Sequence, residues 1–89
     1  VGSFRNDARI LAWDVVNEPD NDNANSYGKN GTLKQELAEK QQLGVDLVKA
    51  AFGWTREAKP TQPVTSAPWY GDWSSIEAMT DMNRFLFTN

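Results

Sequence analysis

The sequence predicts an α/β fold: one βαβ unit with parallel strands, followed by a short helix. Three observations lead there. The run Ile10-Leu11-Ala12-Trp13-Asp14-Val15-Val16-Asn17 is almost continuously apolar and stops at Glu18-Pro19. Such runs suit parallel strands covered on both faces better than half-exposed antiparallel ones. A long helical pattern follows over Leu33 to about Ala58, and a second short strand pattern, Val64-Thr65-Ser66-Ala67-Pro68-Trp69, again ends at a proline. Parallel strands joined by a helix form a right-handed crossover.

In order along the chain, Phe4 to Asp7 reads as a turn, because Asn6-Asp7 favours local side-chain-to-backbone bonding. The first strand spans Ile10 to Asn17, and Pro19 ends it at Glu18 or just before. Asp20 to Gly31 is polar and aperiodic, the composition of an exposed loop. Loops of about a dozen residues are uncommon in compact domains and often border a site. Thr32 can cap the helix, with Gln35 as a weak capping box. Leu43, Leu47, Ala50 (or Ala51), Trp54 and Ala58 recur at three- and four-residue steps and are expected to form its buried stripe. Gly44 is unfavourable inside a helix and is a possible break, and Pro60 stops the pattern. After the second strand, Tyr70-Gly71-Asp72-Trp73 reads as a loop. Ser74 or Ser75 is expected to cap a short helix over Ile76–Met82, with Phe85-Leu86-Phe87 trailing as an apolar end. There are no repeats, linkers or low-complexity tracts, and residues 1–89 read as a single unit.

Composition narrows the chemistry sharply. The 89 residues contain no His and no Cys. That removes Ser-His-Asp and Cys-His catalysis, thiolate nucleophiles, disulfides and imidazole or thiolate metal ligands. Catalysis here has to use carboxylates, Lys, Arg, Tyr or backbone groups. The net charge is −3 with scattered basic residues, so no nucleic-acid partner is expected. Mean hydropathy is −0.63 and no apolar run approaches the roughly 20 residues of a membrane span, so no membrane partner is expected either. Residues 1–9 lack the apolar centre of a signal peptide.

The groups that look chemical fall at one end of the predicted sheet. Ligands of parallel α/β folds lie beyond the carboxyl ends of the strands. Asn17, Glu18, Trp69 and Tyr70 fall at that end. Strict alternation would send Asn17 and Glu18 to opposite faces. Both can serve one ligand only if the strand kinks or bulges, so an irregularity is expected there. Asp14 shares a face with Glu18 in a regular strand. Its structural reading, a buried acid paired with Arg9 or Arg56, is favoured over a role in tuning Glu18. Trp69 and Tyr70, with Trp73 and Tyr27, have the flat rings that stack on pyranose C–H faces, or they pack beneath the loops. Trp13 and Trp54 read as core, and Arg56 as a structural ion pair. Asp20 and Asp22 invite a calcium reading, but the Gly and closing Glu of an EF-hand loop are missing, and a solvated turn is preferred. No metal and no cofactor are expected.

Trp13-Asp14-Val15-Val16-Asn17-Glu18-Pro19 resembles strand four of the retaining glycoside hydrolase clan built on the (β/α)8 (TIM) barrel. Asn6 to Trp13 is similar to the segment entering that strand in cellulase-like and mannanase-like members, the glycoside hydrolase family 5 type. Phe52-Gly53-Trp54-Thr55-Arg56-Glu57-Ala58-Lys59-Pro60-Thr61-Gln62-Pro63-Val64-Thr65 is similar to the end of helix four and strand five of the same proteins. The resemblance covers about residues 5–73. It implies a partial, quarter TIM barrel cleaving a β-1,4-linked polysaccharide of cellulose, xylan or mannan type. It implies Glu18 as general acid/base and Asn17 as ligand of the sugar 2-hydroxyl. The implied nucleophile, a Glu at the end of strand seven, is not among these 89 residues. A secreted or periplasmic location is implied for the parent enzyme. Two parallel strands leave two open edges, which invite pairing, so a homo-oligomer through those edges is also expected. The rival expectation is a catalytically incomplete fragment that self-associates or binds carbohydrate weakly.

Overall fold

A computed structural model describes residues 1–22, 24–34 and 37–89. Two parallel strands form its sheet: β1 (Trp13–Asn17) and β2 (Val64–Ala67). Helix α1 (Ala38–Glu57) connects them and α2 (Asp81–Thr88) closes the chain. Short 3₁₀ turns lie at Gly2–Phe4, Ala24–Tyr27 and Lys29–Gly31. This is the α/β, strand–helix–strand-plus-helix arrangement expected of a partial TIM barrel.

β1 is shorter than its apolar run, because a strand extends only as far as its partner. β2 starts after Pro63, whose ring nitrogen has no hydrogen to donate, and Trp13 N–H closes that end on the Pro63 carbonyl at 2.9 Å. Ile10 to Ala12 lie outside the strand, and Leu11 is 89% exposed. Trp13 is half-buried and donates its indole N–H to Gln62 Oε1 at 2.9 Å, while buried Gln62 donates to the Asp7 carbonyl. The N-terminal turn is thereby pinned beneath the amino ends of both strands.

α1 begins at Ala38, later than Leu33. Thr32 ends the preceding 3₁₀ turn, and the backbone N–H groups of Leu33 and Leu37 donate to the Tyr27 and Ser26 carbonyls. Those bonds tie the segment to the loop. Gln35, the proposed capping partner, lies outside the described residues, as does Glu36.

The buried face of α1 is Val45, Val48, Phe52 and Thr55. The stripe expected from spacing is on the other side: Leu43 is 68% exposed, Leu47 49% and Trp54 64%. Both stripes have helical period. What selects the valine stripe is its match to Val15, Val16 and Val64 on the sheet, together with Met82, Phe85 and Leu86 of α2. Phe52 and Phe85 meet edge-to-face with centroids 5.3 Å apart.

α2 also lies further on than expected. Thr80 caps it, accepting the Asn83 N–H at 3.1 Å. Ser75 accepts the Ala78 N–H and closes only a turn, so Phe85 to Phe87 belong to a helix.

The whole remains open. Its radius of gyration is 15.1 Å. A compact domain of this length has about 12 Å. Its accessible area is 6242 Å², against roughly 5,200 Å² for a compact 10 kDa protein.

Candidate active site

The expected irregularity is present at the end of β1. Trp13 pairs with Val64 and Asp14 with Thr65, but Asn17 pairs with Ala67, so one extra residue enters β1 between Asp14 and Asn17. The Ser66 hydroxyl donates to the Val16 carbonyl beside it. Val15 and Val16, neighbours in sequence, both pack against the core. That is the signature of a bulge, because a regular strand turns adjacent side chains to opposite faces.

Glu18 follows with φ of +48°, in the left-handed region that a non-glycine residue enters only at a cost. Its N–H still donates to the Ala67 carbonyl at 2.7 Å, so the turn is anchored to β2. The Asn21 N–H returns to the Glu18 carbonyl at 3.0 Å. One carboxylate oxygen of half-buried Glu18 accepts from the Asn21 amide at 2.9 Å. Lys40, in the first turn of α1, donates to the Asn21 carbonyl at 2.8 Å and holds this turn from the helix side. Asn17 is exposed at the strand end.

Gly44 explains itself here. α1 runs through it unbroken, and a Cβ at this position would lie 3.1 Å from the Pro19 carbonyl oxygen. The glycine lets the helix pass close under the Glu18-Pro19 turn.

Trp69 and Tyr70 follow β2 and are 55% and 44% exposed. Two contacts from opposite sides fix their backbone. The Asp20 carboxylate accepts the N–H of Trp69 at 2.5 Å and that of Tyr70 at 3.4 Å. Asn83 of α2, fully buried, donates from Nδ2 to the Tyr70 carbonyl at 2.9 Å. Gly71, at φ +151°, is required because a Cβ there would fall 1.8 Å from Asn83 Nδ2. The Asn83 Oδ1 is buried without a hydrogen-bond partner.

Sequence reasoning missed both clamps. Asp20, whose sequence setting favours a solvated turn over a calcium site, bridges the two strand ends. Asp22 accepts from the Tyr27 hydroxyl. The only hint of Asn83 was Gly71, which marks a close backbone approach without naming the partner.

Asp14 is exposed, contrary to the buried ion pair expected for it. The basic groups proposed for it are engaged elsewhere. Arg9 forms an ion pair with Asp7 at 2.6 Å, and Arg56 lies over the Phe52 ring and donates to the Asn89 carbonyl. Trp73 is about half exposed. Among the described residues no cluster of three Asp or Glu side chains is arranged to hold a metal ion.

Two depressions flank the turn. One, of about 270 Å³, lies between Pro19-Asp20, the first turns of α1 and the start of α2. The other is a wider open groove of about 570 Å³ that includes Tyr27, Trp69 and Tyr70.

Chemically, this end of the sheet presents a carboxyl group in a fixed turn, an exposed carboxamide beside it and two aromatic rings on a clamped loop. A family model described as Glycosyl hydrolase family 10 matches residues 1–86. No curated protein and no solved structure gives a significant match.

Proposed function

The chain belongs to glycosyl hydrolase family 10, and from that premise we propose that the end of β1 supplies the general acid/base of a retaining hydrolase of β-1,4-linked polysaccharide. The sequence motifs resemble the cellulase-like and mannanase-like family 5 type, whereas the family model that matches is family 10. The family match supports a glycoside hydrolase of xylanase type in the parent, and in this reading xylan stands first among cellulose, xylan and mannan.

Retaining hydrolysis takes two carboxyl groups about 5–5.5 Å apart across the glycosidic bond. In this reading Glu18 donates its proton to the glycosidic oxygen as the C–O bond breaks. The second carboxylate attacks the anomeric carbon and forms a covalent glycosyl-enzyme. Glu18, now ionised, takes a proton from water as water displaces that carboxylate, and both groups return to their starting states. Asn17 holds the sugar 2-hydroxyl, and Trp69 and Tyr70 stack on neighbouring rings. β2 ends in Ala67-Pro68 with no carboxylate, so the nucleophile has to come from another strand of a barrel.

The observation that carries this reading is the bulge. With the left-handed turn at Glu18 (φ +48°), which breaks the extended path directly after Asn17, it makes the strand irregular at the end where such folds bind ligands. Glu18 is held by Asn21 in a turn fixed to β2 and α1, which restricts its carboxyl group as a positioned proton donor requires. The test is hydrolysis of soluble xylan, β-glucan and mannan by the chain beside Glu18→Gln, with formate supplied as the second carboxylate. Activity that survives the substitution contradicts the assignment.

A second reading rests on the surface. Residues 1–89 form a single barrel unit that associates with a second copy of itself. The free edges of β1 and β2 and the exposed Leu43, Leu47 and Trp54 favour it. A two-stranded sheet is marginal by itself.

A further inference from the structure

Resting on the acid/base reading of Glu18, we infer that Asn21 is a positioning residue that reserves one oxygen of the Glu18 carboxyl group, Oε1, for the transferable proton. Glu18 to Asn21 form a β-turn, closed by the Asn21 N–H on the Glu18 carbonyl at 3.0 Å. Pro19 stands at the second position of that turn, which its fixed φ suits. The chain has doubled back three residues on, so the Asn21 side chain lies beside that of Glu18. Its Nδ2 donates to Glu18 Oε2 at 2.9 Å. The turn has little freedom to open. Lys40 of α1 donates to the Asn21 carbonyl at 2.8 Å, and the Asp20 carboxylate holds the Trp69 N–H.

A carboxamide NH₂ group donates and does not accept. A neutral carboxyl group has one hydroxyl oxygen and one carbonyl oxygen, and the carbonyl oxygen is the better acceptor. With Oε2 held as the acceptor, the proton of neutral Glu18 sits on Oε1. Among the described residues nothing donates to Oε1. In the reaction the Oε1–H bond breaks and its electron pair stays on the carboxyl group. The proton joins the glycosidic oxygen, which keeps the pair of the broken C–O bond, while the second carboxylate bonds to the anomeric carbon. Glu18 is then an anion, and a hydrogen bond to an ionised acceptor is roughly twice as strong as one to a neutral group. The Asn21 contact therefore strengthens as the proton leaves, and it stabilises the transition state more than the ground state.

The test uses two aryl β-xylobiosides, one with a phenyl and one with a 2,4-dinitrophenyl leaving group, with formate supplied as the second carboxylate. The phenyl group needs a proton on its oxygen as it departs; dinitrophenolate leaves without one. Rates are compared for the wild-type chain, Asn21→Ala, Asn21→Asp and Glu18→Gln. Asn21→Ala removes the side-chain donor and is expected to lose about tenfold more on the phenyl than on the dinitrophenyl substrate, the size of a lost hydrogen bond to a charged acceptor at an exposed site. Asn21→Asp, which keeps the side-chain shape without the N–H, should show the same contrast. Glu18→Gln should show a larger one. A general disturbance of the turn lowers both rates alike, so an equal loss on the two substrates overturns the role of Asn21, as does no loss on either. A contrast in Asn21→Asp that is missing from Asn21→Ala belongs to the added charge and also overturns it. Each of these outcomes leaves the acid/base reading standing. No contrast in Glu18→Gln, or no hydrolysis of either substrate by the wild-type chain, overturns the acid/base reading and this inference with it.

Discussion

The Asp20 carboxylate accepts the backbone N–H of Trp69, 49 residues away, and so ties the turn after β1 to the loop after β2. The same carboxylate reaches the Tyr70 N–H, and Asn83 takes the Tyr70 carbonyl from the other side. The aromatic loop is therefore placed by contacts to its backbone from both sides.

Removing that clamp should loosen the loop without unfolding the core. Hydrogen bonds to a charged group contribute about 1.5–3 kcal/mol, with the lower end applying at an exposed site. Asp20→Ala is expected to lose about 1–2 kcal/mol in urea unfolding. Hydrogen exchange should accelerate at the Trp69 and Tyr70 amides and stay unchanged at Val48.

Gly44 and Gly53 lie in the same helix and should respond in opposite directions. Nothing lies within 4 Å of a Cβ at Gly53, so Gly53→Ala should gain up to about 1 kcal/mol of helix propensity. At Gly44 the added methyl meets the Pro19 carbonyl oxygen at 3.1 Å. That carbonyl belongs to a turn fixed by Asn21, Lys40 and Asp20, so it yields poorly. Overpacking of about 1–3 kcal/mol outweighs the propensity gain, and Gly44→Ala should be net destabilising in thermal melts.

Much of the fold could be read from the chain, because its signals were local. Pro19 and Pro68 end the strands, and the apolar run before Asn17 marks a parallel strand, although β1 is only half covered, with Asp14 and Asn17 exposed. The bulge followed from a conflict between alternation and a shared ligand. The helix register could not be read the same way. Leu43, Leu47 and Trp54 repeat as well as Val45, Val48 and Phe52 do, and only contact with Val15, Val16 and Val64 distinguishes the two stripes. Asp20 and Asn83 act across long sequence separations, and no local pattern marks such contacts.

The exposed stripe should govern self-association. Leu47→Glu places a charge where half the side chain is already in water, so folding should be nearly unaffected. If two copies meet along α1, light scattering should show the mass falling to the monomer value. An unchanged oligomer would direct attention to the strand edges instead.

Acid should weaken the N-terminal turn and the Asp72 turn before the core. Hydrogen bonds from Arg9 hold Asp7, and hydrogen bonds from Ser74 hold Asp72, below the usual carboxylate range. A carboxyl lowered on folding stabilises above its unfolded pKa and loses that contribution as pH falls through its folded value. Both groups are solvent-exposed, so the effect is local. Amide chemical shifts of Arg9 and Ser74 should therefore move below about pH 4, near the unfolded Asp value, while Val48 and Phe52 remain steady. Asp7→Asn should abolish the movement at Arg9 alone.

The central claim is that Glu18 is the proton donor to a glycosidic oxygen. It is tested most directly by following release of reducing sugar from soluble xylan by the wild-type chain and Glu18→Gln, with formate added to stand in for the second carboxylate. A positioned general acid contributes about 10²–10⁴-fold to rate. The account predicts that Glu18→Gln loses at least about 100-fold of the formate-dependent hydrolysis while xylan binding is kept. Equal hydrolysis by the two proteins would contradict it.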